Sequence, residues 1–344
     1  MDESERMAAV IVVAVAGLIA LGLSRWLAHP DAPIRLLDHP NERSLHAAPT
    51  PRTGGLAICA GLLAGWAASL LLPQAEGLPV QILSGAVVVA GISVVDDRYG
   101  LSQGLRLLVQ LGAALLLIRG GFVIQGEVLP GLAFAPGAGL ALLTVVTALW
   151  LTNLYNFMDG MDGFAGGMTV IGFGTLALLG WGQGDGLFAA ASLTVCTAAA
   201  GFLWFNFPPA RIFMGDSGST TLGFLAAAFA VWGSRRGVAP VWLTLLVFSP
   251  FVVDATVTLL RRALRGEAVW RAHRSHYYQR LVQLGWGHRR TVLVEYAIML
   301  VCAGAALAIR GADARVQWLA VAGLAAAYAV AAFAVHGMER RADR

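Results

Sequence analysis

Residues 138–167 read AGLALLTVVTALWLTNLYNFMDGMDGFAGG. The first part, 138–155, carries no charge and approaches the roughly 20 residues that a helix needs to cross a bilayer. The run then passes directly into Asn156, Asp159 and Asp162, with glycines between them. Ionisable groups at membrane depth are costly and are kept where a function needs them. An apolar helix that ends in carboxylates therefore predicts a membrane span delivering a polar site to the interface.

The same pattern recurs outward along the chain. The 344 residues are 58% hydrophobic and 13% charged, with a mean hydropathy of +0.70. Soluble domains carry about a quarter charged residues. Apolar runs occupy 7–27, 54–72, 78–95, 104–118, 138–155, 164–180, 187–205, 218–232, 239–260, 291–309 and 316–335. The expectation is an all-α polytopic integral membrane protein of about eleven transmembrane helices, forming a single domain over 1–344, with its active-site loops in the cytoplasm. The opening MDESERMAAV is too acidic for a signal-peptide n-region, so the first run is expected to remain as a span. The segment 120–136, GGFVIQGEVLPGLAFAP, predicts a small external hairpin.

All 24 basic residues are arginine. Without lysine, a Schiff base, a pyridoxal anchor and a Walker-type phosphate loop are excluded, because each needs an amine. Cys59, Cys196 and Cys302 lie far apart inside apolar runs, which predicts packing and no zinc or disulfide framework. The net charge of +4 is modest, and no nucleic-acid partner is expected. Gly- and Ala-rich spans pack closely within or between chains, so a homodimer stays open.

Eleven crossings place eighteen arginines on one face and six on the other, the six being Arg6, Arg119, Arg235, Arg236, Arg310 and Arg315. The positive-inside bias makes the first face cytoplasmic, with the N-terminus outside and the C-terminus inside. Asp96, Asp97, Asp159, Asp162, Asp216 and Asp254 then all fall at or near that face.

Five loops on the arginine-rich face carry the chemistry. VVDDRYGLSQGLRLLVQ (94–110) presents Asp96 and Asp97 side by side, with Arg106 a turn or more later. Adjacent carboxylates suit metal coordination, or a base with its orienting partner. In TNLYNFMDGMDGFAGG (152–167), Asn153, Asn156, Asp159 and Asp162 recur every three residues, which suggests one shared helical face. NFPPARIFMGDSGS (206–219) sets Asp216 at or just before a helix start, among backbone donors. Arg211 suits a diphosphate and Phe213 a nucleobase. The loop 261–290 interleaves His273, His276, Tyr277, Tyr278 and Gln279 with Arg274 and Arg280, a donor mix suited to phosphate and sugar. DHPNERSLHAAPTPRTGG (38–55) adds Arg43, His46 and Arg52 before Gly54 and Gly55. With oxygen ligands and no soft set, the cation expected is Mg2+, with Mn2+ as a substitute.

Read in order from Asp38 to Trp286, the P-x-x-GG entry (51–55), Asp96-Asp97, NFMDGMDG, ARIFMGDSGS and HRSHYYQRL resemble the polyprenyl-phosphate N-acetylhexosamine-1-phosphate transferases, a glycosyltransferase family 4. The resemblance implies transfer of an amino sugar-1-phosphate from a UDP-sugar to undecaprenyl phosphate, releasing UMP, in the bacterial cytoplasmic membrane. The HRSHYYQRL form is most similar to the members that initiate O-antigen. By similarity, Asp96, Asp97 and His276 are catalytic, the two aspartates binding or deprotonating the lipid phosphate. Asp216 and Asn156 hold the metal. Asn153, Asp159, Asp162 and Phe213 bind the nucleotide, and Arg52, Arg106, Arg211, His273 and Arg274 the phosphates or sugar. Arg106 stands where members of the family often have Lys, which keeps the cation and changes its geometry. A transporter or lipid flippase is the rival class, and it predicts polar residues through mid-span and on both faces.

Overall fold

The computed structural model describes residues 3–34, 36–40, 45–46, 48–71, 78–269 and 273–342. Arg43, a candidate in the first loop, lies outside the described residues, as does Leu72 at the expected end of the second span. The chain is an all-α bundle. Its helices are α1 (Glu3–Leu27), α2 (Gly54–Leu71), α3 (Val80–Tyr99), α4 (Gln103–Arg119), α5 (Ala138–Met158), α6 (Phe164–Gly182) and α7 (Gly186–Asn206). They continue with α8 (Gly215–Arg235), α9 (Val241–Val247), α10 (Ser249–Leu264), α11 (Tyr277–Leu281), α12 (Gly287–Ile309) and α13 (Ala314–Ala342). A π-helical turn, Val282–Trp286, joins α11 to α12.

Each apolar run read from the sequence coincides with helix over most of its described residues, while the count of eleven crossings is not confirmed. Among the described residues, seven helical segments are long and apolar enough to cross a membrane, or eight if α9 and α10, bent by 86°, form one span. The chain is thus a multi-pass membrane protein. The apolar part of α2 is short, and α4 has only 17 residues. The first turns of α8 are polar, reading GDSGSTT. It tolerates them because every residue from Ser217 to Gly233 is buried, enclosed by protein and not by lipid. Against it pack α5, α3 and α2, so α8 is the axis of the bundle. The break between α9 and α10 coincides with Pro250, which cannot donate into a continuing helix.

The expected hairpin is present. β3 (Glu127–Leu129) pairs antiparallel with β4 (Leu132–Ala133). At the other end of the bundle a two-residue ladder joins β1 (Leu37–Asp38) to β2 (Thr50–Pro51), immediately before α2.

Candidate active site

The site is built where α3, α5 and α7 end and α4, α6 and α8 begin. α3 stops because Gly100 takes a left-handed conformation (φ 65°), leaving Asp96 and Asp97 in the last helical turn. Asp97 is 4% exposed, and its two carboxylate oxygens accept the backbone N–H groups of Asp216 and Ser217, both at 3.0 Å. One helix thus supplies the anionic cap for another, which matches the positive end of the α8 dipole. Asp96 accepts from Leu101 N–H at 2.6 Å and from Arg106 Nη1 at 2.9 Å, and the same Nη1 reaches Asp216 Oδ2 at 3.2 Å. Arg52 Nη2 donates to the carbonyl of Asp97 at 2.6 Å.

The glycine pair in the first loop has a steric reason. Gly54 and Gly55 donate to the carbonyls of Phe213 and Met214 at 2.9 and 2.7 Å, drawing the start of α2 onto the start of α8. A Cβ on Gly55 would overlap the backbone of Gly218. The contact holds the Phe213–Asp216 turn in place.

The three-residue spacing of Asn153, Asn156, Asp159 and Asp162 does not give one face. Each step of three advances about 300° around an α-helix, so nine residues carry the fourth group to the opposite side of the first. α5 moreover ends at Met158. Asn153 turns toward α4, donating to Gln110 Oε1 at 2.7 Å and to Leu149 O at 2.8 Å, and is no part of the cleft lining. The nucleotide-binding role expected of it is not supported. Asn156 donates to Ser219 Oγ at 3.2 Å and sits beside Asp216. Asp162 accepts from Ala210 N–H at 3.0 Å and pairs with His288 Nδ1 at 2.9 Å.

Asp38, His46, Arg52, Asn156, Asp159 and Asp162 line one open cleft of about 270 Å³ together with Phe213, Asp216, Gln279 and His288. His46 meets the Phe213 ring edge-on at 4.9 Å. Burial, and then the facing carboxylates of Asp216, Asp97 and Asp162, push the Asp159 carboxyl well above the ordinary carboxylate range. Negative charge is therefore in excess here, and a divalent cation would relieve it. Among the described residues, no three His, Cys, Asp or Glu side chains form a ready metal cage. The polar groups of Asn156, Asp159 and Asp216 that line the cleft offer oxygen atoms, the ligand chemistry of a hard divalent cation.

Other expected residues stand outside the cleft lining. Asp96, Asp97 and Arg106 form a layer behind Asp216. Arg211 is exposed and lies 4.6 Å over the Phe205 ring. His276, the N-cap residue of α11, is 2% exposed, with Nδ1 3.4 Å from Asp254 Oδ1, and is not among the residues lining the cleft. His273 bonds to Ser275 Oγ at 2.9 Å, and Arg274 is exposed. From this motif it is Gln279 that faces inward. Four contributors were not singled out from sequence: Asp38, Asn206, Ser219 and His288. Asn206 accepts from Gly163 N–H and donates to Ile212 O, both at 2.9 Å, which ties the α5–α6 turn to the α7–α8 turn. Its position at the head of NFPPAR was the available signal.

Fold and cleft together define a membrane protein with a carboxylate-rich pocket at one end of its bundle, furnished with an arginine and an aromatic ring. The family model described as glycosyl transferase family 4 matches residues 80–234, from α3 through nearly all of α8. A probable undecaprenyl-phosphate N-acetylglucosaminyl 1-phosphate transferase of Bacillus subtilis is 32% identical over 313 residues, 90% of this chain and 87% of that protein. A decaprenyl-phosphate N-acetylglucosaminephosphotransferase of Mycobacterium leprae is 31% identical over 335 residues, covering 88% and 82%. A phospho-N-acetylmuramoyl-pentapeptide-transferase of Mycolicibacterium smegmatis is 29% identical over 350 residues, covering 88% and 94%. The chain belongs to glycosyl transferase family 4, the polyprenyl-phosphate sugar-1-phosphate transferases.

Proposed function

We propose that this protein transfers an N-acetylated amino sugar-1-phosphate from a UDP-sugar to undecaprenyl phosphate, releasing UMP. The observation that carries the reading is the cleft in which Asn156, Asp159 and Asp216 face Arg52 and Phe213. N-Acetylglucosamine is the first donor to test, since the relatives from B. subtilis and M. leprae are named for it. The product would begin a cell-surface glycan, of which O-antigen is one. The arginine bias supports a cleft on the cytoplasmic side of a bacterial inner membrane.

Asp216 and Asn156, with Asp159 beside them, would hold Mg2+, which when bound neutralises the diphosphate. Arg52 and Phe213 would place the nucleotide's phosphate and ring. An oxygen of the lipid phosphate attacks the β-phosphorus, the new P–O bond forms, and the bond to UMP breaks with UMP leaving. A phosphate monoester has its second pKa near about 6 and reaches neutral pH largely deprotonated, so it needs no strong base. Asp96 and Asp97, whose oxygens are engaged by Arg106, Leu101 and the α8 N–H groups, then serve to position Asp216. Trapping a labelled aspartyl-phosphate would overturn the one-step route.

The test is UMP release from a panel of UDP-sugars, with and without undecaprenyl phosphate and divalent metal. Release should require both and favour N-acetylated donors. Release that ignores the lipid would remove the transferase reading. The Asp216→Ala variant should insert normally and release no UMP above background.

A further inference from the structure

Of the 29 residues of α13, only Gln317 and Val335 are buried. Lipid chains are as apolar as leucine, so a helix this exposed is fixed largely by its specific packing and polar contacts. At the end near the cleft those contacts converge on α11. Arg280 grips Glu339 with two prongs, Nε to Oε1 at 2.6 Å and Nη2 to Oε2. Its guanidinium lies 4.6 Å from the centre of the Tyr277 ring, which His336 of α13 meets edge-on at 5.9 Å. Arg261 Nη1 donates to Tyr277 Oη at 3.1 Å.

The other side of α11 reaches the cleft. Asp254 accepts the N–H groups of Tyr277 and Tyr278 at 2.9 and 3.2 Å, fixing the start of the helix. Tyr278 Oη donates to Phe157 O at 3.2 Å, two residues before Asp159. Gln279 lines the cleft, and its amide is oriented by accepting His276 N–H at 3.2 Å. With its five residues, α11 is a short link between α13 and the cleft.

We infer that Glu339 is a positioning residue: through Arg280 it sets α11, and with it Gln279 and the Phe157–Asp159 turn, relative to the substrate. The inference rests on the cleft being the site of sugar-phosphate transfer. A carboxylate facing a guanidinium in two parallel bonds fixes orientation as well as distance, which a single ammonium contact does not. If Glu339 only anchored the last turns of α13, α11 and the cleft would not respond to its loss.

The experiment uses the full-length protein in lipid nanodiscs, with Glu339→Ala, Arg280→Lys and the exchanged pair Arg280→Glu/Glu339→Arg. Two quantities are read: amide hydrogen exchange across Tyr277–Leu281 without substrate, and kcat and KM for the UDP-sugar. Glu339→Ala should speed exchange in α11 and lower kcat/KM roughly tenfold, while the unfolding midpoint shifts by only a few degrees. Arg280→Lys keeps the charge but loses the fork, and should behave alike. The exchanged pair should recover most of both signals. Unchanged exchange in Glu339→Ala, wild-type kinetics, or activity lost only in step with the folded fraction would each overturn the proposal. So would a folded exchanged pair that recovers nothing. A wild-type protein without transfer activity would instead end the functional reading, and the exchange measurement would still decide whether Glu339 braces α11.

Discussion

Asp97 and Asp254 do the same physical work in different places. Each is a buried carboxylate whose oxygens accept the first N–H groups of a helix other than its own. Asp97→Asn keeps one acceptor but turns an NH2 toward the α8 terminus, so one buried N–H loses its partner. The cost should be about 1–3 kcal/mol, seen as a lower unfolding midpoint together with slower turnover. An Asp97→Asn protein with wild-type stability would refute the capping role. Asp159 gives a second prediction. Its folded-state pKa is raised from the usual 3.8, so the fold binds a proton there more tightly than the unfolded chain does. The metal-free protein therefore loses stability as pH rises from the unfolded value toward the folded one. A cation competes with that proton and gains as the pH rises. The midpoint increase on adding Mg2+ should be larger at pH 8 than at pH 6, and Asp159→Asn should flatten the difference. Equal increases at both pH values would remove Asp159 from the cation's surroundings.

At the scale of elements, the sequence was most legible where one helix decides its own fate. Apolar runs marked every long helix, Pro208 and Pro209 follow the end of α7, and Asp216 does lie in the first turn of α8. It was least legible where two elements must meet. Residues 218–232 read as one more apolar run, whereas α8 is sheathed by protein and can carry Ser and Thr. The motif around His276 reads as a row of donors, yet His276 is buried at the cap of a five-residue helix and it is Gln279 that lines the cleft. Gly160 records such a meeting, since a Cβ there would strike Tyr278 Oη. Gly160→Ala should push α11 off the end of α5 and lower kcat/KM by tenfold or more, with a smaller effect on stability. Removing the obstructing hydroxyl with Tyr278→Phe should make the same Gly160→Ala change cheaper, a coupling that a double-mutant cycle measures. Strict additivity would mean that the two residues do not collide.

The whole molecule is polarised. Asp96, Asp97, Asn156 and Asp216 are bonded to one another or through Arg106 at one end of the bundle, and Asp162 and Asn206 line the same cleft. α3 has 20 residues, about 30 Å of helix, so its two ends can lie on opposite faces of a bilayer. The Glu127–Ala133 hairpin follows α4, which returns from the site end of α3, and so belongs to the far face. The arginine bias turns this polarity into a sidedness that labelling can read. Tyr99 is 75% exposed beside the site, and Leu129 is 42% exposed in the hairpin. Single cysteines at these two positions, in a protein freed of Cys59, Cys196 and Cys302, should react with a membrane-impermeant maleimide from opposite sides. The hairpin position should label in intact cells, and the Tyr99 position only after the membrane is opened. Labelling of both from outside would break the two-faced architecture. The reverse pattern would preserve the cleft but place it away from the cytoplasmic pool of UDP-sugar that the proposed reaction needs.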